Sequence, residues 1–158
     1  MAAPALQRPR YVYFGGRVCP WEEAVFHISH EAVLRGLNVF EGLKGYWQPD
    51  GSFGIVALRR HYDRLCRSAR LMYMPFDTSF EEFASAIEAL LRVQCDPERN
   101  AWIRATLYGE EGHWGVGSTS NLVLTAYSTA PGRPEPVRVG VSTWQRAADL
   151  ALPCRIKT

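Results

Sequence analysis

The spacing of apolar residues changes character several times along the chain, and each change marks an element. Tyr11-Val12-Tyr13-Phe14, then Gly15-Gly16, then Arg17-Val18-Cys19 reads as two short strands around a glycine turn. Pro20-Trp21-Glu22-Glu23 breaks the pattern, and residues 24–28 predict another short strand. Ser29 is placed to cap a short helix over residues 30–36, closed by Gly36. Residues 43–47 and 53–57 flank Pro49-Asp50-Gly51 and predict a second hairpin.

The period then shifts from two to between three and four. Leu58, Tyr62, Leu65, Ala69 and Met72 fall on one face of a helix over residues 59–74, which Pro75 ends. Ser79-Phe80-Glu81-Glu82 is a capping box. The helix it opens carries Phe80, Phe83, Ile87, Leu90 and Leu91 on one face as far as Gln94. Residues 101–108 and 122–127 read as strands, joined by a glycine-rich loop over residues 109–117. Pro131-Gly132-Arg133-Pro134-Glu135-Pro136 reads as a stiff linker, and residues 137–141 as the opening strand of a further unit. The expected organisation is therefore a disordered stretch at 1–10, a small α+β domain at 11–130, a linker at 131–136, and the opening strand of something further after it.

Composition narrows the function classes. The chain has 158 residues, 47% hydrophobic and 22% charged, which is globular rather than disordered or fibrous. A net charge of +2 is too mild for a dedicated nucleic-acid binder. The four cysteines, Cys19, Cys66, Cys95 and Cys154, are too far apart for a zinc site or a disulfide framework, so they read as reduced thiols. No stretch has the layout of a signal peptide or the apolar length of a membrane span. The expectation is a soluble cytoplasmic protein without membrane or nucleic-acid partners.

Candidate chemistry starts from the basic residues. Only Lys44 and Lys157 are lysines, so amine chemistry would use one of them. Arg59, Arg60, Arg64, Arg67 and Arg70 share the first long helix. They make either a solvated basic face or, through Arg59 and Arg60 at the helix start, a fork for a phosphate. Arg104 interrupts the apolar run Ala101-Trp102-Ile103-Arg104-Ala105-Thr106-Leu107. It reads either as half of a structural ion pair or as a clamp for a substrate carboxylate. His27 and His30 have the H-x-x-H spacing but sit on a strand entering a turn, which argues against a metal. No phosphate-binding P-loop, nucleophile elbow or paired-carboxylate pattern occurs.

Four segments together resemble a known family. They are Ser29-His30 with Gly36-Leu37-Asn38-Val39-Phe40-Glu41-Gly42-Leu43-Lys44-Gly45-Tyr46; Leu58-Arg59-Arg60-His61-Tyr62-Asp63-Arg64-Leu65 with Ser68-Ala69; Trp102-Ile103-Arg104; and Ser142-Thr143-Trp144-Gln145-Arg146-Ala147-Ala148 with Pro153 and Lys157. In this order they are similar to motifs of the class IV, fold-type IV aminotransferases, above all the branched-chain amino-acid enzymes.

The resemblance implies the N-terminal half of an α/β two-domain fold that uses pyridoxal 5′-phosphate (PLP), with 11–130 as its small α+β domain and 137–158 as the start of its large domain. It implies that Lys157 holds PLP as a Schiff base and that Arg59 binds the cofactor phosphate. By the same resemblance Phe40, Trp102 and Arg104 belong to the substrate pocket, with Arg104 near the substrate carboxylate. The implied reaction moves an amino group between a hydrophobic or branched-chain amino acid and 2-oxoglutarate. A lyase or a D-amino-acid transaminase on the same fold is the first rival. The second is a PLP-independent enzyme or a non-catalytic binding module, formed by cleavage after Thr158. Family members are about twice as long, so the expected partners are a C-terminal half carried by a separate chain, and a second copy of the completed unit.

Overall fold

The computed structural model describes residues 8–97, 99–112, 117–129, 136–145, 147–151 and 155–158. Six antiparallel strands make one sheet in the order β2-β1-β6-β5-β3-β4. They are β1 (Tyr11–Phe14), β2 (Arg17–Pro20), β3 (Asn38–Trp47), β4 (Phe53–Ile55), β5 (Asn100–Gly109) and β6 (Ser120–Thr129). Two long helices, α2 (Leu58–Leu71) and α3 (Phe80–Gln94), follow the second hairpin, and a single turn, α1 (Glu31–Leu34), precedes β3.

Strand alternation decides which residues meet the helices. Val39 and Leu43 of β3, Ala101, Ile103, Ala105 and Leu107 of β5, and Leu122, Leu124 and Ala126 of β6 are buried. They form one core with Leu65 and Ala69 of α2 and Phe83, Ala86, Ile87 and Leu90 of α3. The intervening residues face the other way. Phe40, Gly42 and Lys44 of β3, Trp102, Arg104 and Thr106 of β5, and Val123, Thr125 and Tyr127 of β6 therefore share the opposite face of the sheet.

Both hairpins, α3 and the two long strands form where the pattern placed them, whereas α2 ends at Leu71, short of the end expected at residue 74, because Tyr73 takes a left-handed backbone (φ 54°) before Pro75 is reached. The capping box at α3 closes fully: the Ser79 side chain accepts the Glu82 N–H, and Glu82 Oε2 accepts the Ser79 N–H at 2.7 Å. Two expected strands do not form. Residues 24–28 are irregular, because the Phe26 ring packs edge-on against Tyr108 instead of entering a ladder. Residues 137–141 form no strand and pair with no strand among the described residues, and Val137, Val139 and Val141 are exposed. A strand needs a neighbour to take its backbone hydrogen bonds. His30, not Ser29, occupies the cap position of α1, while Ser29 bonds His27 Nδ1. The start of the linker, residues 131–135, lies outside the described residues, as do residues 1–7 of the N-terminal stretch. Cys19, Cys66 and Cys95 are free thiols; Cys154 lies outside the described residues.

Candidate functional site

Residues 155–158 return to the sheet along the β3 edge, beside the stretch that β4 leaves unpaired. The Phe40 N–H donates to the Lys157 carbonyl at 2.8 Å. Ile156 points inward and is buried in the core shared by the sheet and helices. Lys157, one residue on, lies on the opposite face. Its Nζ sits 5.3 Å from the centre of the Phe40 ring. The burial of Ile156 thus sets the direction of Lys157.

Three further groups converge there. The Arg104 guanidinium carbon lies 4.8 Å from the centre of the Phe40 ring and 5.6 Å from that of Trp102. A side chain added at Gly42 would meet Trp102 Nε1 at 3.6 Å and Lys157 Nζ at 3.9 Å. Both are ordinary van der Waals distances, so the indole and the amine lie close together over Gly42. The Tyr127 ring, 5.4 Å from that of Trp102, supports the indole from β6. Arg104 is exposed and has no ion pair among the described residues. The structural ion pair weighed from its sequence context is therefore not formed among the described residues. The aromatic faces of Phe40 and Trp102 hold the cation instead, and its donors stay available. Lys44, the other lysine, is exposed on this face and registers opposite Trp102.

Arg59 makes its contacts elsewhere. Its Nε donates to Asp63 Oδ1 at 3.0 Å, and its guanidinium carbon lies 4.8 Å from the centre of the Phe80 ring. A second cluster occupies the middle of α2. Glu41, fully buried on the helix-facing side of β3, accepts Arg64 Nε and Nη2 at 2.5 Å each and His61 Nδ1 at 2.8 Å. Burial pushes the Glu41 carboxyl up, but the hydrogen bonds and charges of Arg64 and His61 outweigh it and hold it below the usual value. Arg60, His61, Arg64 and Arg67 line a cleft of about 310 Å³ on the outer side of this network. Arg60 and Arg67 have no ion pair among the described residues, so the cleft is strongly cationic.

The larger cavity, about 630 Å³, lies between β4 and α3 against Trp47, Phe53, Ile55 and Leu91. Its charged rim is already paired, Arg92 with Glu88 and Arg99 with Asp96. None of Phe40, Trp102, Arg104 and Lys157 lines it, so size alone does not locate the chemistry. Among the described residues no group of three potential metal ligands occurs, and no helix is long and apolar enough to cross a membrane. The His27 and His30 rings lie 6.4 Å apart, and His30 stacks on Tyr108.

Comparison with known proteins places the chain as a whole in a family. A family model for amino-transferase class IV matches residues 38–158. The chain belongs to the class IV aminotransferases. It is 27% identical over 157 residues to the probable branched-chain-amino-acid aminotransferase of Aquifex aeolicus, covering 93% of this chain and 49% of the relative. The branched-chain aminotransferase of the thermophilic archaeon Thermoproteus uzoniensis, solved with norvaline, matches with TM-score 0.77 and 26% identity over 92% of this chain and 50% of that one. The PLP form of the enzyme from Thermobaculum terrenum matches with TM-score 0.64 and 29% identity, over 79% of this chain and 41% of that one. This class IV chain spans about half the length of the curated relatives it matches. The cofactor of its family is PLP.

The Glu41, His61 and Arg64 network of the class IV chain escaped the reading of its sequence. The signal was present. Strand alternation puts Glu41 in line with Val39 and Leu43, so a carboxylate was bound for the core and required cations. Arg64 and His61 lie one helical turn apart on α2, the helix that follows the β3–β4 hairpin.

Proposed function

We propose that this chain contributes the lysine-bearing part of a PLP-dependent aminotransferase for hydrophobic or branched-chain amino acids, with 2-oxoglutarate as acceptor. The observation that carries the reading is the position of Lys157 Nζ beside Phe40, with Trp102 and Arg104 on the same face. The donor set fits the cofactor: a lone amine among aromatic rings, and a separate cationic cleft suited to a phosphate. Lys157 would hold PLP. The cofactor, when bound, supplies an electron sink for charge developing at the substrate carbon next to its amino group.

The chain's own residues do the rest. Lys157 Nζ is the base that takes and returns the proton of that carbon. Phe40 and Trp102 exclude water and give an apolar substrate side chain a matching wall. Arg104 offers its guanidinium to a carboxylate of the amino acid or of 2-oxoglutarate. For the phosphate, two candidates stand on α2. Arg59, the residue suggested by the family motif, already serves Asp63 and Phe80. The Arg60, His61, Arg64 and Arg67 cleft has donors to spare, and it is the better-supported anchor. A C-terminal half and a second copy of the completed unit are the partners this reading requires.

Borohydride reduction after exposure to PLP, followed by peptide mass spectrometry, tests the assignment. A phosphopyridoxyl adduct on Lys157, absent from Lys157→Ala, is the expected result. An adduct on Lys44 in its place overturns it. Arg64→Ala is expected to weaken PLP retention more than Arg59→Ala, and the reverse order moves the phosphate to the helix start. Transamination assays with a panel of amino acids, on the chain supplemented with a C-terminal half, decide the substrate class. Activity confined to D-amino acids contradicts the branched-chain reading.

A further inference from the structure

Glu41 is an anomaly in the core. Val39 and Leu43, its neighbours on the same face of β3, are apolar and fully buried, and Glu41 is as buried as they are. A carboxylate in such a place persists only where cations reach it. Arg64 reaches it with a two-pronged contact through Nε and Nη2, and His61 Nδ1 donates to the same Oε2 that Arg64 Nη2 uses. Both side chains also have an outward aspect: Arg64 is 40% exposed and His61 21%. One edge of each side chain is spent on the buried carboxylate. The other side lines the cleft that Arg60 and Arg67 complete.

A guanidinium on a long, flexible stem has many orientations to lose before it can bind an anion. The two-pronged contact removes that freedom beforehand. It leaves the guanidinium N–H groups not engaged by Glu41 for a ligand. His61, with Nδ1–H committed to the carboxylate, keeps Nε2 on its other edge, and that nitrogen donates to an anion when the ring carries its second proton. Three arginines against one carboxylate leave an excess of positive charge, which suits a dianion.

We propose that Glu41 is a positioning residue: it clamps Arg64 and His61 from inside the core so that their free edges present a preformed site for a phosphate monoester dianion in the cleft between Arg60 and Arg67. The inference rests on the reading of that cleft as the cofactor-phosphate anchor and says how the anchor is built. It runs against simple charge counting. Removing a carboxylate beside an anion site raises the local positive potential, so charge alone predicts tighter binding in Glu41→Gln. Loss of the clamp predicts weaker binding.

The test uses the 158-residue chain and inorganic phosphate, with binding read by calorimetry and by the nitrogen-15 signal of the Arg64 Nε–H group. The unsubstituted chain is expected to bind phosphate with a shift of that signal. Glu41→Gln is expected to bind about tenfold more weakly, the order of loss seen when a group that orients a binding residue is removed. Glu41→Asp keeps the charge but is too short to hold both prongs, and it decides the matter if the Gln variant does not fold. The clamp predicts weaker binding there too, whereas a purely electrostatic role predicts no change. In an Arg64→Lys background, which has no fork to orient, Glu41→Gln is expected to add little. Unchanged or tighter phosphate binding by Glu41→Gln overturns the positioning role and leaves the cleft as the anchor. Absence of phosphate binding by the unsubstituted chain overturns the anchor itself.

Discussion

The Lys157 carbonyl accepts the backbone N–H of Phe40, and the two side chains on the same sheet face bring an amine over an aromatic ring. The sequence separates these residues by most of the chain. One backbone hydrogen bond and one buried neighbour, Ile156, hold them together.

That arrangement makes Ile156 the anchor of Lys157. Truncating a buried isoleucine to alanine costs about 2–5 kcal/mol in a closed core. Residues 155–158 belong to no helix or strand and can detach locally instead, so Ile156→Ala is expected to loosen them more than the rest of the domain. Hydrogen exchange at the Phe40 amide should quicken at least about tenfold, while amides in the centre of β5 and β6 keep their protection. Equal acceleration throughout the sheet would mean that residues 155–158 are integral to the global core.

Glu41 sets an acid dependence. Burial raises its carboxyl, and Arg64 and His61 more than offset this, so the folded-state value is depressed. A depressed carboxylate contributes stability that is fully present above the unfolded value, near 4.3, and is lost as pH falls through the folded value. Glu41→Gln should therefore flatten the fall of urea midpoints below about pH 4.5. It should also lower the midpoint at pH 7. The loss there is about 1–3 kcal/mol rather than the full cost of an orphaned buried charge, because Arg64 is partly solvated. A steeper acid limb in the variant would contradict the sign.

Gly45 packs beneath the Phe53 ring. A Cβ on it would lie 2.4 Å from Phe53 Cε1 and Cζ. The ring is also edge-on to Trp47, 5.3 Å between centres, so it has little room to yield. Gly45→Ala is expected to destabilise the domain by about 1–2 kcal/mol in equilibrium unfolding. Adding Phe53→Leu should recover part of that loss, and additive losses would place the strain elsewhere.

The capping box of α3 offers a purely local test. Ser79 supplies the acceptor for Glu82 N–H and receives the Glu82 carboxylate in return. Ser79→Ala should cost about 1 kcal/mol, read as a lower thermal midpoint. Ser79→Asp, which keeps the acceptor, should retain most of the stability.

The elements that were legible in the sequence are those whose signals are local. The three- to four-residue spacing from Leu58 to Met72 states the buried face of α2. Ser79 and Glu82 state where α3 begins, and Pro49-Asp50-Gly51 states a turn. Each pattern is complete within a few residues, so it survives without the rest of the fold. The irregular segments at 24–28 and 137–141 show the limit. Both have strand-like composition, but a strand exists only where another backbone accepts its hydrogen bonds.

The sequence by itself determined the helices, the hairpins, the family motifs and the choice of two lysines. Tertiary structure alone decided which residues meet. Phe40, Trp102, Arg104 and Lys157 come together through the β3–β5 register and the burial of Ile156. Glu41 finds His61 and Arg64 only because α2 packs across the buried face of β3. Local patterns follow from the bonding of neighbouring residues. A site follows from burying many apolar groups at once, which no short stretch of chain records.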